Sequence, residues 1–159
     1  MRPFRYTAAA LVILFLLQIV PGCGVTEKSD NDGTAYFQVS RPGATQGDSY
    51  ILPLTKAQDI AAAREIVKNP LATRATIVLA KIDRGNGDGN YLNKDLIGKR
   101  IWSWRVVEFQ GFAEITAEIL DGSPTDVEQR LNEWLTANNG MIGFWSYTVT
   151  REVPVAELR

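Results

Sequence analysis

Histidine is absent from all 159 residues, and cysteine occurs once. Without an imidazole base, no Ser-His-Asp or Cys-His nucleophile arrangement can form within the chain. The two shortages together remove the common structural zinc sites, which draw their ligands mainly from Cys and His. A lone cysteine also leaves no partner for an intramolecular disulfide. Excess positive charge is missing as well: 17 Lys and Arg stand against 18 Asp and Glu, so nothing neutralises a phosphate backbone and nucleic acid is not an expected partner. Carboxylate chemistry is the catalytic class that survives these exclusions. What is present is ordinary globular composition, 45 % hydrophobic with four Trp, enough for one domain with one core.

The single cysteine, Cys23, closes the stretch "MRPFRYTAAALVILFLLQIVPGC". Arg2 and Arg5 form a basic head, residues 7–20 an uncharged and mostly apolar run, and Pro21-Gly22 a helix break: the architecture of a signal peptide. Val20-Pro21-Gly22-Cys23 resembles a bacterial lipobox, although Pro21 is unusual at its place. The resemblance implies a diacylglycerol thioether on Cys23 and, with more than one acyl chain, stable anchoring to a membrane. The alternatives are plain secretion and an uncleaved anchor. For the anchor, residues 6–26 lack charge, but Pro21 and Gly22 shorten the usable helix below the ~20 residues a span needs. The expected organisation is a signal peptide over 1–22, a lipidated cysteine and flexible tether over 23–33, one domain over 34–153 and a tail over 154–159. The tether "GVTEKSDNDG" is polar and without periodicity. Losing Arg2 and Arg5 leaves a mildly acidic mature chain, for which an anionic bilayer surface is not an expected ligand.

From Thr34 the pattern becomes that of a folded domain. "TAYFQV" and "SYILPL" read as strands separated by the turn-rich "SRPGATQGD". "TKAQDIAAAREIVKNP" reads as a helix, with a capping box from Thr55 to Gln58, an apolar face of Ile60, Ala63 and Val67, and a stop before Pro70. "ATIVLAKI" is apolar enough to be a central strand covered on both faces. "RIWSWRV" follows, and "FAEITAEIL" alternates Ala113, Ile115, Ala117 and Ile119 against Glu114, Thr116 and Glu118. "SPTDVEQRLNEWLTANNG" is a second helix, with Ser123 as N-cap, Pro124 in the first position, Asp126 at the positive dipole end, a stripe of Val127, Leu131, Trp134 and Leu135, and a stop at Gly140. "FWSYTVTRE" alternates with Trp145, Tyr147 and Val149 inward. The order ββαβββαβ implies an α+β domain: a single, mostly antiparallel sheet with two helices packed on it.

Several stretches are similar to a family named after the N-terminal domain of a calmodulin-binding protein, the BP seventy-four N-terminal-like family. They are "SYILPLTKAQDIAAAREI", "WSW", "FAEITAEILDGSPTDVEQRLNEW" and a late "WSY", together covering about residues 36–153. The most specific pieces are Trp102-Ser103-Trp104 and Asp121-Gly122-Ser123-Pro124. The resemblance implies no established enzymatic activity. It also implies a disulfide that this chain lacks, since Leu120 and Gly143 stand where family members carry cysteines, and Arg105 stands where a histidine often follows the W-S-W element. Calmodulin binding is not expected. Its targets are basic amphipathic helices, whereas the first helix mixes Lys56, Arg64 and Lys68 with Asp59 and Glu65, and the second is acidic.

Three groups of residues invite chemistry. In "DRGNGDGNYLNKD", Asn86, Asp88, Gly89 and Asp95 match positions 3, 5, 6 and 12 of a calcium loop. Arg84 then occupies position 1, and Asp83 serves only if Gly85 is an insertion. The same composition suits a polar hairpin. Asn86, Asp88, Asn90 and Tyr91 would be its interaction surface. Trp102 and Trp104, two apart on one strand face, are either a sugar or peptide platform or core beneath a helix beside Trp134 and Trp145; core is the favoured reading. Glu114 and Glu118 lie roughly 13 Å apart along a strand, too far for a glycosidase pair. The expectation is a membrane-tethered extracytoplasmic lipoprotein, in the periplasm or on the cell surface. It is not an enzyme, requires no cofactor and binds an unidentified protein or envelope partner. The alternatives are a calcium-binding adhesion or sensing module and a carboxylate-dependent envelope hydrolase.

Overall fold

A computed structural model describes residues 33–69, 76–85, 91–114 and 122–159. The expected signal peptide, Cys23 and all of the tether but Gly33 lie outside these residues, as do Asn86, Asp88, Gly89, Asn90 and the stretch 115–121. Among the described residues no helix is long and apolar enough to cross a membrane.

The first and last strands of the domain pair with each other. β1 (Ala35–Ser40) is the centre of a three-stranded antiparallel sheet, between β2 (Ser49–Leu54) and β8 (Thr148–Val153). The register runs from Ala35 opposite Leu54 and Tyr36 opposite Val153 at one end to Ser40 between Ser49 and Thr148 at the other. This sheet is buried on both faces, and its sequence shows why. Phe37, Val39, Tyr50, Leu52, Leu54 and Val149 face the main core. Ile51 and Val153 point the other way, into a small cluster closed by Leu158, Tyr36, Leu92 and Leu96. Leu158 belongs to a short helix, α4 (Val155–Leu158), so the segment expected as a tail is instead a packed lid.

The second sheet places β3 (Ile77–Arg84) between β6 (Trp104–Ala113) and β7 (Met141–Ile142), all antiparallel. Val78, Ala80 and Ile82 of the apolar run enter the core, as its central position predicts. A two-residue hairpin ladder, β4 (Lys94–Asp95) with β5 (Arg100–Ile101), forms a third sheet after a single 3₁₀ turn at Tyr91–Asn93. The α+β class therefore holds, but the described strands divide among three sheets instead of forming one. The inward side chains of both larger sheets join one buried cluster, and Tyr50 of β2 meets Trp104 of β6 with ring centroids 5.8 Å apart. Rings of that bulk need facing layers, not a shared ladder.

The helices close the core and refine two expectations. α1 (Ala57–Lys68) buries Ile60, Ala63 and Ile66 and ends before Pro70, as expected. Its N-cap is Lys56, without a side-chain hydrogen bond; Thr55 lies one residue too early to reach the first-turn amides, so the capping box is not made. The second helix starts as predicted: Ser123 Oγ accepts from the Asp126 amide at 3.3 Å and donates to the Asp126 carboxylate at 2.7 Å. It then breaks into α2 (Pro124–Gln129) and α3 (Leu131–Ala137). The break falls at Arg130 (φ −132°, ψ 35°), whose N–H is shared between the carbonyls of Asp126 and Val127. Gly140 ends the element at φ +70°, and a Cβ there would lie 2.5 Å from the Ile82 carbonyl oxygen, so only glycine lets this turn close against β3.

Candidate functional site

The paired tryptophans are structural. Trp102 and Trp104 are buried and stacked, 5.7 Å apart at 23°, and Trp102 Nε1 donates to the Ser49 carbonyl at 2.9 Å. Trp134 is buried too. Trp145, expected to point inward, is 45 % exposed. The alternation misplaced it because β8 begins only at Thr148. Trp145 and Ser146 instead form the corner of a tight turn closed by the Tyr147 amide on the Phe144 carbonyl at 3.2 Å. Ser146 sits at φ +66°, a conformation glycine adopts without strain. Both shoulders of the turn are held in the core. Phe144 packs edge-on against Tyr50 and Trp134, and the Tyr147 ring lies 5.6 Å from Phe144.

The loop between β1 and β2 reaches the same end of the molecule, because Ser40 stands opposite Thr148. Arg41 lies over the Tyr147 ring, 5.4 Å from its centroid. Burial, then the Asp48 carboxylate, push the Tyr147 phenol above its usual range; Arg41 pulls the other way. Around it the loop is polar and small, with Gly43, Thr45, Gln46 and Gly47 exposed.

Asp95, the last residue of the calcium-like stretch, is engaged within the protein. Its side chain is fully buried. Oδ1 accepts from the amide and hydroxyl of Ser49 (2.9 and 2.8 Å) and from the amides of Ile97 and Gly98 (3.2 and 2.8 Å). Oδ2 accepts from Arg100 Nε at 3.0 Å. Arg100 also binds Asp48 and donates to Thr125 Oγ1 at 3.2 Å, while its guanidinium lies 4.5 Å from the Trp102 ring centroid. Asp48 in turn accepts from the Thr125 amide at 3.1 Å. This network pins the β4–β5 hairpin and the start of α2 to the end of β2. Asp83, by contrast, is exposed at the end of β3, and its carboxylate accepts the Arg84 amide. Tyr91 opens the 3₁₀ turn. Among the described residues no three of His, Cys, Asp and Glu converge. Asn93 was not singled out from the sequence; it is buried and donates to the Trp102 carbonyl at 2.9 Å.

An open groove of about 540 Å³ runs along the outer side of β3 and β6, lined by Lys81, Asp83, Val107, Glu108, Leu135 and Asn139. Its carboxylates stand opposite cations in the ladder, Glu108 across from Lys81 and Asp83 across from Arg105. Glu114 is exposed just beyond the end of β6, and its expected companion Glu118 lies outside the described residues. Gly143, where a family cysteine would sit, is buried, and a Cβ there would come within 2.7 Å of Leu79 Cδ2. Leu79 occupies the space a side chain at 143 would need.

The model of the BP seventy-four N-terminal domain family matches residues 33–156. No curated protein and no solved structure matches the chain.

Proposed function

The chain belongs to the BP seventy-four N-terminal domain family, and on that premise we propose that it is a membrane-tethered, extracytoplasmic binding domain without catalytic activity. One observation carries the reading: the stretch closing on Cys23 has the basic head, apolar run and helix break of a lipoprotein signal peptide, and the domain that follows has a base and a far pole. The chain enters at Ala35, beside the last residues of β2 and β8. The five rises of β1 from Ala35 to Ser40, roughly 17 Å at about 3.3 Å each, separate that base from the pole carrying the exposed Trp145 turn and the polar β1–β2 loop. Near the pole Asp95 and Asp48 are both spent on Arg100, which suits display rather than acid–base chemistry.

The reading is tested by mass spectrometry of the protein recovered from its native membranes. The expected N-terminus is Cys23 bearing a diacylglycerol thioether, and Cys23→Ser releases the domain from the membrane fraction. An intact Met1, or a free Cys23 thiol in a cytosolic fraction, overturns it.

A further inference from the structure

The geometry points to the Trp145 turn as a carbohydrate-binding subsite, in which the indole stacks on the C–H face of a pyranose ring. This inference rests on the binding-domain reading and names the ligand class for its far pole. Three of the four tryptophans are buried, at 2 %, 0 % and 4 % exposure, and Trp145 alone is turned outward. Burying a large flat ring is strongly favourable, so a turn that leaves nearly half of one exposed is informative. This turn also holds a serine at φ +66° while anchoring Phe144 and Tyr147 in the core. Its indole is displayed from a rigid base, and little motion remains to be frozen when a ligand settles on it.

The surroundings decide the class of ligand. A dry protein interface needs apolar neighbours around its aromatic anchor. Here the neighbours that the register places at the pole are polar or small: Arg41, Gly43, Thr45, Gln46 and Gly47 are exposed, and Ser146 follows Trp145 directly. Among the described residues the other exposed large apolar side chains, Ile101 and Val107, belong to β5 and β6, outside this turn and loop. An exposed aromatic face at an end of the sheet that otherwise offers hydroxyl, amide and guanidinium groups matches a sugar, which has an apolar ring face and a periphery of hydroxyls. The indole supplies stacking, and the adjacent Ser146 hydroxyl can both donate to and accept from the sugar's hydroxyls, with the exposed Thr45 and Gln46 at the same end of the sheet.

The test uses the full-length lipidated protein in detergent micelles, with chitotetraose and cellotetraose as probes. Iodide quenches exposed indoles, so it reports on Trp145 ahead of the buried three. At millimolar sugar, at least one probe is expected to protect Trp145 from iodide. Trp145→Ala should weaken that binding tenfold or more with an unchanged melting temperature, and Trp145→Tyr should retain it within a few fold. If neither sugar alters quenching, or if Trp145→Ala binds as the unaltered protein does, the subsite is refuted. Loss of a cross-link to an envelope protein in Trp145→Ala, with sugar binding absent, assigns the turn to a protein contact and overturns the inference. None of these outcomes touches the lipid on Cys23, which mass spectrometry decides separately.

Discussion

Single residues carry two kinds of stored cost in this domain. Ser146 adopts a left-handed conformation that disfavours any side chain by about 1–2 kcal/mol. Tyr50 is 1 % exposed, and its hydroxyl has no hydrogen-bond partner among the described residues. Burial, then the neighbouring Tyr147, push its phenol far above the usual tyrosine range, so it stays neutral in the folded state. Removing an unpaired buried hydroxyl surrenders no bond. Tyr50→Phe is therefore expected to stabilise the domain by about 1 kcal/mol at neutral pH, read by urea denaturation. A loss of stability would show that the hydroxyl is paired in solution. At this scale the sequence was legible where the cause is local. Ser123 and Pro124 announce a helix start from within four residues. The outward Trp145 is not legible locally, because its orientation depends on where β8 begins, which is set by pairing with β1 more than 100 residues earlier.

Elements are held to one another by contacts that spacing along the chain does not reveal. The stretch from Asp83 to Asp95 has the periodicity of a calcium loop, yet the Asp95 carboxylate is committed to Ser49, 46 positions away, and to Arg100. No pattern within the loop distinguishes a cation from a buried network of amides and a guanidinium, since both need the same oxygen donors. The α2–α3 break at Arg130 was hidden similarly, because Val127, Leu131 and Trp134 keep helical spacing across it. The Asp95 network makes a definite forecast. Asp95→Ala strands buried donors of Ser49, Ile97 and Gly98, and it should cost about 3–5 kcal/mol. Asp95→Asn keeps an acceptor oxygen and should cost less. With both Asp95 oxygens engaged, millimolar calcium is expected to leave the melting temperature unchanged; an upward shift abolished by Asp88→Ala would show that the loop binds the ion.

The whole molecule is closed by β8, which joins the first strand to the last and carries two ion pairs outward. Arg64 of α1 bonds Glu152 through both carboxylate oxygens at 2.9 and 2.7 Å, and Arg151 bonds Glu157 of α4. Hydrogen bonds from these arginines hold both carboxyls below the ordinary glutamate value of 4.5. A lowered folded-state pKa contributes stability that is present above about 4.5 and disappears as the pH falls through the lowered values. Both pairs are substantially solvent-exposed, so the acid loss should be shallow and blunted by molar salt. The alkaline side behaves oppositely. Tyr50 has a raised pKa, so its contribution is intact below the ordinary tyrosine value of 10.0 and falls away above it, as the unfolded chain ionises while the folded one resists. Because Tyr50 is buried among Trp104 and Phe144, salt cannot screen that term. Urea unfolding measured from pH 3 to pH 11 should therefore show a plateau with a gentle, salt-sensitive acid edge and a steeper, salt-insensitive alkaline edge. Tyr50→Phe should soften the alkaline edge alone, and Glu152→Gln the acid edge alone. Should Tyr50→Phe leave the alkaline edge where it is, Tyr50 does not set it, and Tyr147→Phe tests the other raised phenol of the same aromatic cluster.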